Sequence, residues 1–385
     1  MKRFFFTVIA IAVATISCTK SGLLESPQTY QDQITFEPYT GKAPVTKATI
    51  ANDETLRGGF RVIGFNADAS SGAIVDPSQK PYLSKMVTGT PKTVEVKDEK
   101  GETVMDPDTG QPKTEVVTEW SYLGAMFWPD KTTDKLSFVS YGLNVNGTPA
   151  VVSSTSSENY GDVTINTNTD IFKQGDDYAT FIYEVPDART AQKDLLISPL
   201  NTGNNGRTVA MRLYHVLSRI GFSVKVENTT AIKPEVEITS IELTGDFIEK
   251  AEFDLEEAVT VDANGVSYER EVVTKTTDKT YSFYGTGEET FKISEPGLYK
   301  IYTGTTDADR FMMLIPDNEN TTITVKYKIG GVEQEDAVLE LTTPFAAGKA
   351  YEFVFTLSTV EVGFDVTVTD WDTKHDDASE EYPLN

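Results

Sequence analysis

The chain has 385 residues, 39% of them hydrophobic, and a formal net charge of −25 at pH 7. That length suffices for two ordinary domains and that apolar content for packed cores. The acidic surplus excludes a nucleic-acid partner, which needs a basic face, and a single cysteine excludes an internal disulfide.

In chain order, Lys2 and Arg3 precede an unbroken apolar run over residues 4–16, which ends in Ser17-Cys18. A charged start, a short apolar stretch and a small residue before a cleavage point read as a secretory signal. The run is shorter than the roughly 20 apolar residues of a spanning helix. The pattern resembles a bacterial lipoprotein signal, in which residues 1–17 are removed and Cys18 carries the lipid that tethers the protein to the outer membrane. No later segment is apolar enough to cross a bilayer. A first strand is expected at Ile34-Thr35-Phe36, followed by basic residues at Lys42, Lys47, Arg57 and Arg61, the last against the apolar run Val62-Ile63-Gly64-Phe65.

Residues 91–119 read as an inserted polar ribbon. Pro91-Lys92-Thr93-Val94-Glu95-Val96 and Pro112-Lys113-Thr114-Glu115-Val116-Val117 are near copies, separated by turn-forming Asp and Gly. Further on, alternation with a period of two marks strands at Phe181/Tyr183/Val185, Ile323/Val325/Tyr327/Ile329, Tyr351/Phe353/Phe355/Leu357 and Phe364/Val366/Val368. Turn chemistry separates them at 144–147, 201–206, 317–320 and Gly330-Gly331. One segment departs from this: Val216, Leu217 and Ile220 share a helical face and Gly221 could end a helix, so a short helical turn is expected near 214–220, leading into a strand. The expectation is an all-β fold of sandwiches.

Enzymatic chemistry is missing from the pattern. Only His215 and His375 are present, with no His-x-x-x-His pair, Cys pair, Gly-rich phosphate loop or nucleophile elbow. His215 reads as a structural hydrogen-bonder. Asp106-Pro107-Asp108 and Asp262-Ala263-Asn264-Gly265 lack the full spacing of a calcium loop. No cofactor and no metal are expected.

Several short blocks, in order, resemble the fimbrillin family, the pilin-like lipoproteins of Gram-negative bacteria that build type V pili. They are Ile34-Thr35-Phe36 with Thr46-Lys47-Ala48; Trp120-Ser121-Tyr122, Phe127-Trp128-Pro129 and the aromatic strand at 135–141; Asp194-Leu195-Leu196 with His215-Val216-Leu217-Ser218-Arg219-Ile220; Met313-Leu314-Ile315-Pro316; and Gly348-Lys349-Ala350-Tyr351 with Asp370-Trp371. The resemblance implies two tandem transthyretin-like β-sandwich domains, taken as residues 18–203 (with the ribbon) and 204–385. It also implies assembly: a trypsin-like surface protease removes the first strand, Ile34-Thr35-Phe36, and a strand from another fimbrial subunit fills the groove. Arg57, before Gly58-Gly59, is the first candidate cleavage site and Lys47 the second. The acidic stretch 376–381, with Leu384 as nearly the only aliphatic residue beyond Trp371, suits a donor strand poorly and favours an accessory, tip or anchor subunit over a stalk subunit. Trp128, Trp371 and Phe138 are assigned to cores. A competing reading is a surface glycan-binding or adhesin lipoprotein with Tyr82, Trp120 and Tyr122 as its platform; a third is a glycosidase using an acidic pair.

Overall fold

Residues 33–40, 59–98, 100–129, 134–145, 148–149, 172–174, 178–189, 192, 194–204, 206, 208–227, 235–262, 265–285, 290–301, 311–357 and 362–370 are described by the structure, a computed structural model. They form strands and turns with no α-helix among them. A nine-stranded sheet runs in the order β1 (Thr35–Thr40), β11 (Thr208–His215), β9 (Asp194–Ile197), β5 (Lys135–Val145), β2 (Phe60–Ala67), β3 (Leu83–Glu95), β4 (Thr114–Ser121), with β6 (Thr148–Pro149) and β10 (Asn201–Asn204) also on β5. An eight-stranded sheet is built on the long β13 (Val236–Asp254). It pairs with β8 (Thr180–Glu184), which carries β7 (Phe172–Gln174), and with β16 (Glu271–Tyr284), β17 (Phe291–Ile293) and β20 (Glu319–Ile329); β20 carries β21 (Val332–Glu333) and β22 (Ala337–Glu340). A five-stranded sheet orders β18 (Gly297–Lys300), β12 (Ser218–Val226), β23 (Lys349–Leu357) and β24 (Val362–Asp370), with β19 (Met312–Leu314) on β12, and β14 (Val259–Asp262) with β15 (Gly265–Tyr268) makes a separate hairpin.

All of these strands belong to one compact unit, residues 32–385. Its larger core joins the three sheets face to face. Tyr141 of β5 meets Phe181 of β8 at 5.3 Å between ring centroids, and Phe222 of β12 meets Phe283 of β16 at 4.6 Å. Tyr327 of β20 meets Phe355 of β23 at 5.3 Å. A second, smaller core lies on the other side of the nine-stranded sheet, around Phe36, Phe60, Trp128 and Phe138. The nine-stranded sheet is thus covered on both faces. This explains why Phe60-Arg61-Val62-Ile63-Gly64-Phe65 reads as a continuous run: Phe60 and Val62 enter the smaller core, Ile63 and Phe65 the larger one. Gly64 leaves room for a ring, since a Cβ there would stand 2.7 Å from Phe138.

Three of the four alternating segments bury their apolar face, and the fourth does not, since Val366 and Val368 are each 50% exposed. Phe181, Tyr183, Ile323, Val325, Phe353 and Phe355 are all buried, and so are Trp128 and Phe138; Trp371 lies outside the described residues. The helical turn near 214–220 does not form. β11 continues through His215, Val216 and Leu217 step across, and β12 begins at Ser218. Val216 and Leu217 are buried because the chain passes there from one sheet to another, and their backbones are held by neighbours: the Val216 N–H donates to the Leu195 carbonyl at 3.1 Å and the Gly348 N–H to the Leu217 carbonyl at 3.0 Å. Three clustered apolar residues therefore reflect burial at a crossover rather than one helical face. Gly221 lies inside β12, where a Cβ would meet the Glu352 carboxylate at 2.5 Å and the Phe311 ring at 2.9 Å.

Sheet membership interleaves along the chain. β7 and β8 join the eight-stranded sheet, then β9 to β11 return to the nine-stranded one before β12 enters the five-stranded one. The ribbon is β3 and β4 paired from Thr88↔Ser121 to Glu95↔Thr114, so the two near-copies of its sequence lie against each other.

Candidate functional site

The first strand occupies the edge of the nine-stranded sheet. β1 runs parallel to β11 in an unbroken register from Thr35↔Thr208 to Thr40↔Leu213. Its alternation is strict: Ile34, Phe36 and Pro38 are buried, while Gln33, Thr35 and Glu37 are exposed. Ile34 is 0% and Phe36 3% accessible. Pro38 lacks an N–H, which an edge strand tolerates. On the exposed face the Thr35 and Thr208 hydroxyls lie 2.7 Å apart.

The opposite side of β1 meets the segment after β4. Gln33 bridges to Phe127, and the Ile34 N–H donates to the Met126 carbonyl at 2.9 Å. The Tyr122 hydroxyl donates to the Ile34 carbonyl at 2.5 Å. The sheet curls until its two ends approach, and β1 closes the gap between them. Its apolar side chains rest on Val209, Met211 and Leu213 of β11, and the Phe36 ring contacts Phe138 edge-on at 5.5 Å and Tyr122 at 5.9 Å. Trp128 closes the far side against Phe138 at 5.9 Å. What holds β1 is backbone pairing on one flank, a few polar contacts on the other and two or three buried side chains.

Tyr82, Trp120 and Tyr122, the aromatics of a glycan-platform reading, are partly buried walls of this same core. The Trp120 ring meets Phe60 edge-on at 5.7 Å and lies over Gly89, where a Cβ would stand 2.8 Å from it. The Tyr82 hydroxyl donates to the Phe127 carbonyl at 2.7 Å. Sequence reasoning placed Ile34, Thr35 and Phe36 in the strand but missed Tyr122, Met126 and Met211 as its seat. Alternation in 208–213 was the available signal, since a buried edge strand needs an equally alternating neighbour.

Cys18, Lys47 and Arg57 lie outside the described residues. Arg61, by contrast, is buried near the start of β2, where its guanidinium donates to Ser84 Oγ from Nε at 2.9 Å and from Nη2 at 2.6 Å. Burial pushes the Tyr141 hydroxyl, across from Arg61 in the register, well above its ordinary pKa. The Asp106 carboxylate accepts the N–H groups of Asp108 at 2.9 Å and Thr109 at 3.0 Å, so it caps its own turn. His215 Nδ1 lies 2.7 Å from Asp194 Oδ2, with both side chains nearly buried. Asp194 Oδ1 is buried and has no hydrogen-bond partner among the described residues.

The family model described as fimbrillin-like matches residues 86–371. The chain belongs to the fimbrillin-like family. As a fimbrillin-like chain it is a fimbrial subunit of the cell surface, from a family of structural proteins rather than enzymes. Its fold is similar to that of a fimbrial protein from Bacteroides vulgatus ATCC 8482, at 13% identity over 88% of this chain and 100% of that one, with a TM-score of 0.51. A candidate cell adhesion protein from Bacteroides uniformis ATCC 8492 shares 14% identity over 88% of this chain and 98% of that one, with a TM-score of 0.47. No curated protein sequence matches the chain.

Proposed function

We propose that this fimbrial subunit joins its neighbours by exchanging β1. The observation that carries the reading is the seat of the strand. β1 pairs with a strand, β11, on one flank, is held on the other only at Gln33 and Ile34, and covers an apolar trough lined by Val209, Met211, Leu213, Phe138 and Trp128. Its link to β2 passes through residues 41–59, which contain Lys42, Lys47 and Arg57. A cut after Arg57, or after Lys47, severs β1 from the body. The emptied trough then presents the unpaired N–H and C=O groups of β11 beside exposed apolar surface, which is an acceptor for an extended strand from another subunit. Each main-chain hydrogen bond gained contributes roughly 0.5–1.5 kcal/mol.

In this reading Cys18 carries the lipid that holds the precursor at the outer membrane, and loss of the first strand releases it. The body comprises two tandem sandwiches divided near 203/204, with β8 and β11 crossing that division. The acidic sequence beyond Trp371 favours an accessory, tip or anchor position, because a carboxylate-rich strand is costly to lay in an apolar trough.

Limited trypsin digestion, read by N-terminal mass spectrometry and an unboiled denaturing gel, tests this. Prompt cleavage within 41–58, a stable remainder, and recapture by that remainder of a labelled peptide spanning residues 32–41 are expected. A ladder on the gel assigns a stalk position, and peptide capture without a ladder assigns a terminal one. If trypsin cuts elsewhere first and leaves 41–58 intact, the first strand is permanent and strand exchange is wrong.

A further inference from the structure

β24 forms one outer edge of the five-stranded sheet and pairs with β23 alone among the described strands. Its pairing covers all nine residues, Lys349↔Asp370 to Leu357↔Val362, without a register shift. Natural sheets blunt such edges with short strands, lysine, proline or bulges. Most other edges here carry such devices: β7, β18 and β22 are three or four residues long, β1 contains Pro38, and β4 carries Glu115 and Glu119. The pairing of β16 with β13 is broken by register shifts, and β16 carries Lys275 and Lys279. β24, Val-Gly-Phe-Asp-Val-Thr-Val-Thr-Asp, has no lysine, proline or bulge, and its charges are Asp365 and the terminal Asp370.

Directly opposed residues share a face, so Phe364, Val366 and Val368 lie on the core side with Phe355, Phe353 and Tyr351. Phe364 is covered, with its ring 5.2 Å from Phe355. Val366 and Val368 are each 50% exposed. Among the described residues the core therefore ends in an apolar ledge beside a row of backbone donors and acceptors that no further strand pairs. The sequence that continues from β24 is a poor cover, since 371–385 holds Asp372, Asp376, Asp377, Glu380 and Glu381 with Leu384 as its one large aliphatic side chain.

The strand matches itself. Laid antiparallel on a second β24 about Val366, it sets Val366 against Val366, Phe364 against Val368 and Asp365 against Thr367. At the centre apolar residues meet on the core face, Val362 meets Asp370 at the two ends, and no acid meets an acid. Centring on Asp365 would oppose two carboxylates, and centring on Thr367 would shorten the overlap and set the large Phe364 ring, rather than the terminal Val362, against Asp370. We propose that β24 is a self-pairing edge, through which a second copy of this chain continues the five-stranded sheet across a two-fold axis in the Val366-centred register. The contact is isologous and closes on itself. It is independent of the first-strand groove, which lies in another sheet.

Single cysteines in the full chain, on a Cys18→Ser background, test the register. Opposed residues in an antiparallel pair stand about 4.5–5.5 Å apart at Cα, within disulfide reach. V366C is expected to give a disulfide-linked dimer under mild oxidation, and D365C, displaced from its own copy, is not. The Cys18→Ser protein itself should dimerise with concentration, more so as salt screens the −25 carried by each copy. V366K should remain folded by thermal melt, because that site is half in solvent, and should lose the dimer. Equal cross-linking of both cysteine variants, cross-linking of neither, a monomer at every concentration, or capture only of a strand from a different protein would each overturn the proposal.

Discussion

His215 and Asp194 illustrate what a single contact decides. The imidazole pairs with a carboxylate that is almost fully buried, and the other carboxylate oxygen has no partner among the described residues. Removing one member of a buried pair strands the other, at a cost of about 3–5 kcal/mol. His215→Ala is therefore expected to lower the denaturation midpoint strongly, with Asp194→Asn in the same chain restoring part of the loss; a double-mutant cycle by chemical denaturation measures this. Asp68 shows the opposite setting, fully exposed but saturated. It accepts from the Ser70 hydroxyl at 2.5 Å and from the backbone and hydroxyl of Ser71, and these bonds, Ser70's foremost, hold its pKa far below the usual carboxylate range. Because the folded value lies under the unfolded one, its contribution is complete above pH of about 4 and fades as pH falls further. Ser70→Ala should move the Asp68 titration upward in an NMR pH series. An unmoved titration would mean that the backbone bonds and the Ser71 hydroxyl suffice to depress it.

At the scale of elements, β1 is the weakly held piece. It has one strand neighbour, and its grip depends on Ile34 and Phe36. Phe36→Ala removes a ring from contact with Phe138 and Tyr122; core truncations of this kind cost about 3–5 kcal/mol, although an edge position relaxes more readily than a central one. Amide hydrogen exchange should show β1 and Thr208–His215 losing protection first, with β13 and β20 unaffected. Uniform loss of protection would mean that β1 is integral to the fold and not a separable strand. The same element logic explains the missing helix. A helical reading of 214–220 rested on three apolar residues, and a crossover between two buried sheets produces the same triplet.

For the whole molecule the dominant fact is charge. A net −25 spread over a chain whose cores are apolar leaves the folded state repelling itself at low ionic strength. Local pairs such as Lys279 with Asp187 and Glu249 relieve this only nearby. Raising salt from about 10 mM to about 150 mM shortens the screening length from roughly 30 Å to 8 Å, so the melting temperature should rise with salt at neutral pH. Calorimetry at the two ionic strengths checks this, and a melting temperature that falls would show that ion pairs outweigh the global repulsion.

The sequence alone determined the class of fold, the position of most alternating strands and the identity of β1. All three follow from a period-two pattern, which is a local property readable within a few residues. Ile34-Thr35-Phe36 announced a strand with one buried face, and the structure buries Ile34 and Phe36 while leaving Thr35 exposed. Only the tertiary structure decided what that face rests on. β11 lies more than 170 residues away and runs parallel, and Met126 closes the other flank. It also decided that β2 is buried on both faces, that Trp120 and Tyr122 pack as partly buried walls of the smaller core, and that Val366 and Val368 are half exposed. Alternation fixes which side of a strand must find apolar company. Which strand supplies that company depends on contacts between distant segments, and these carry no mark in the local pattern.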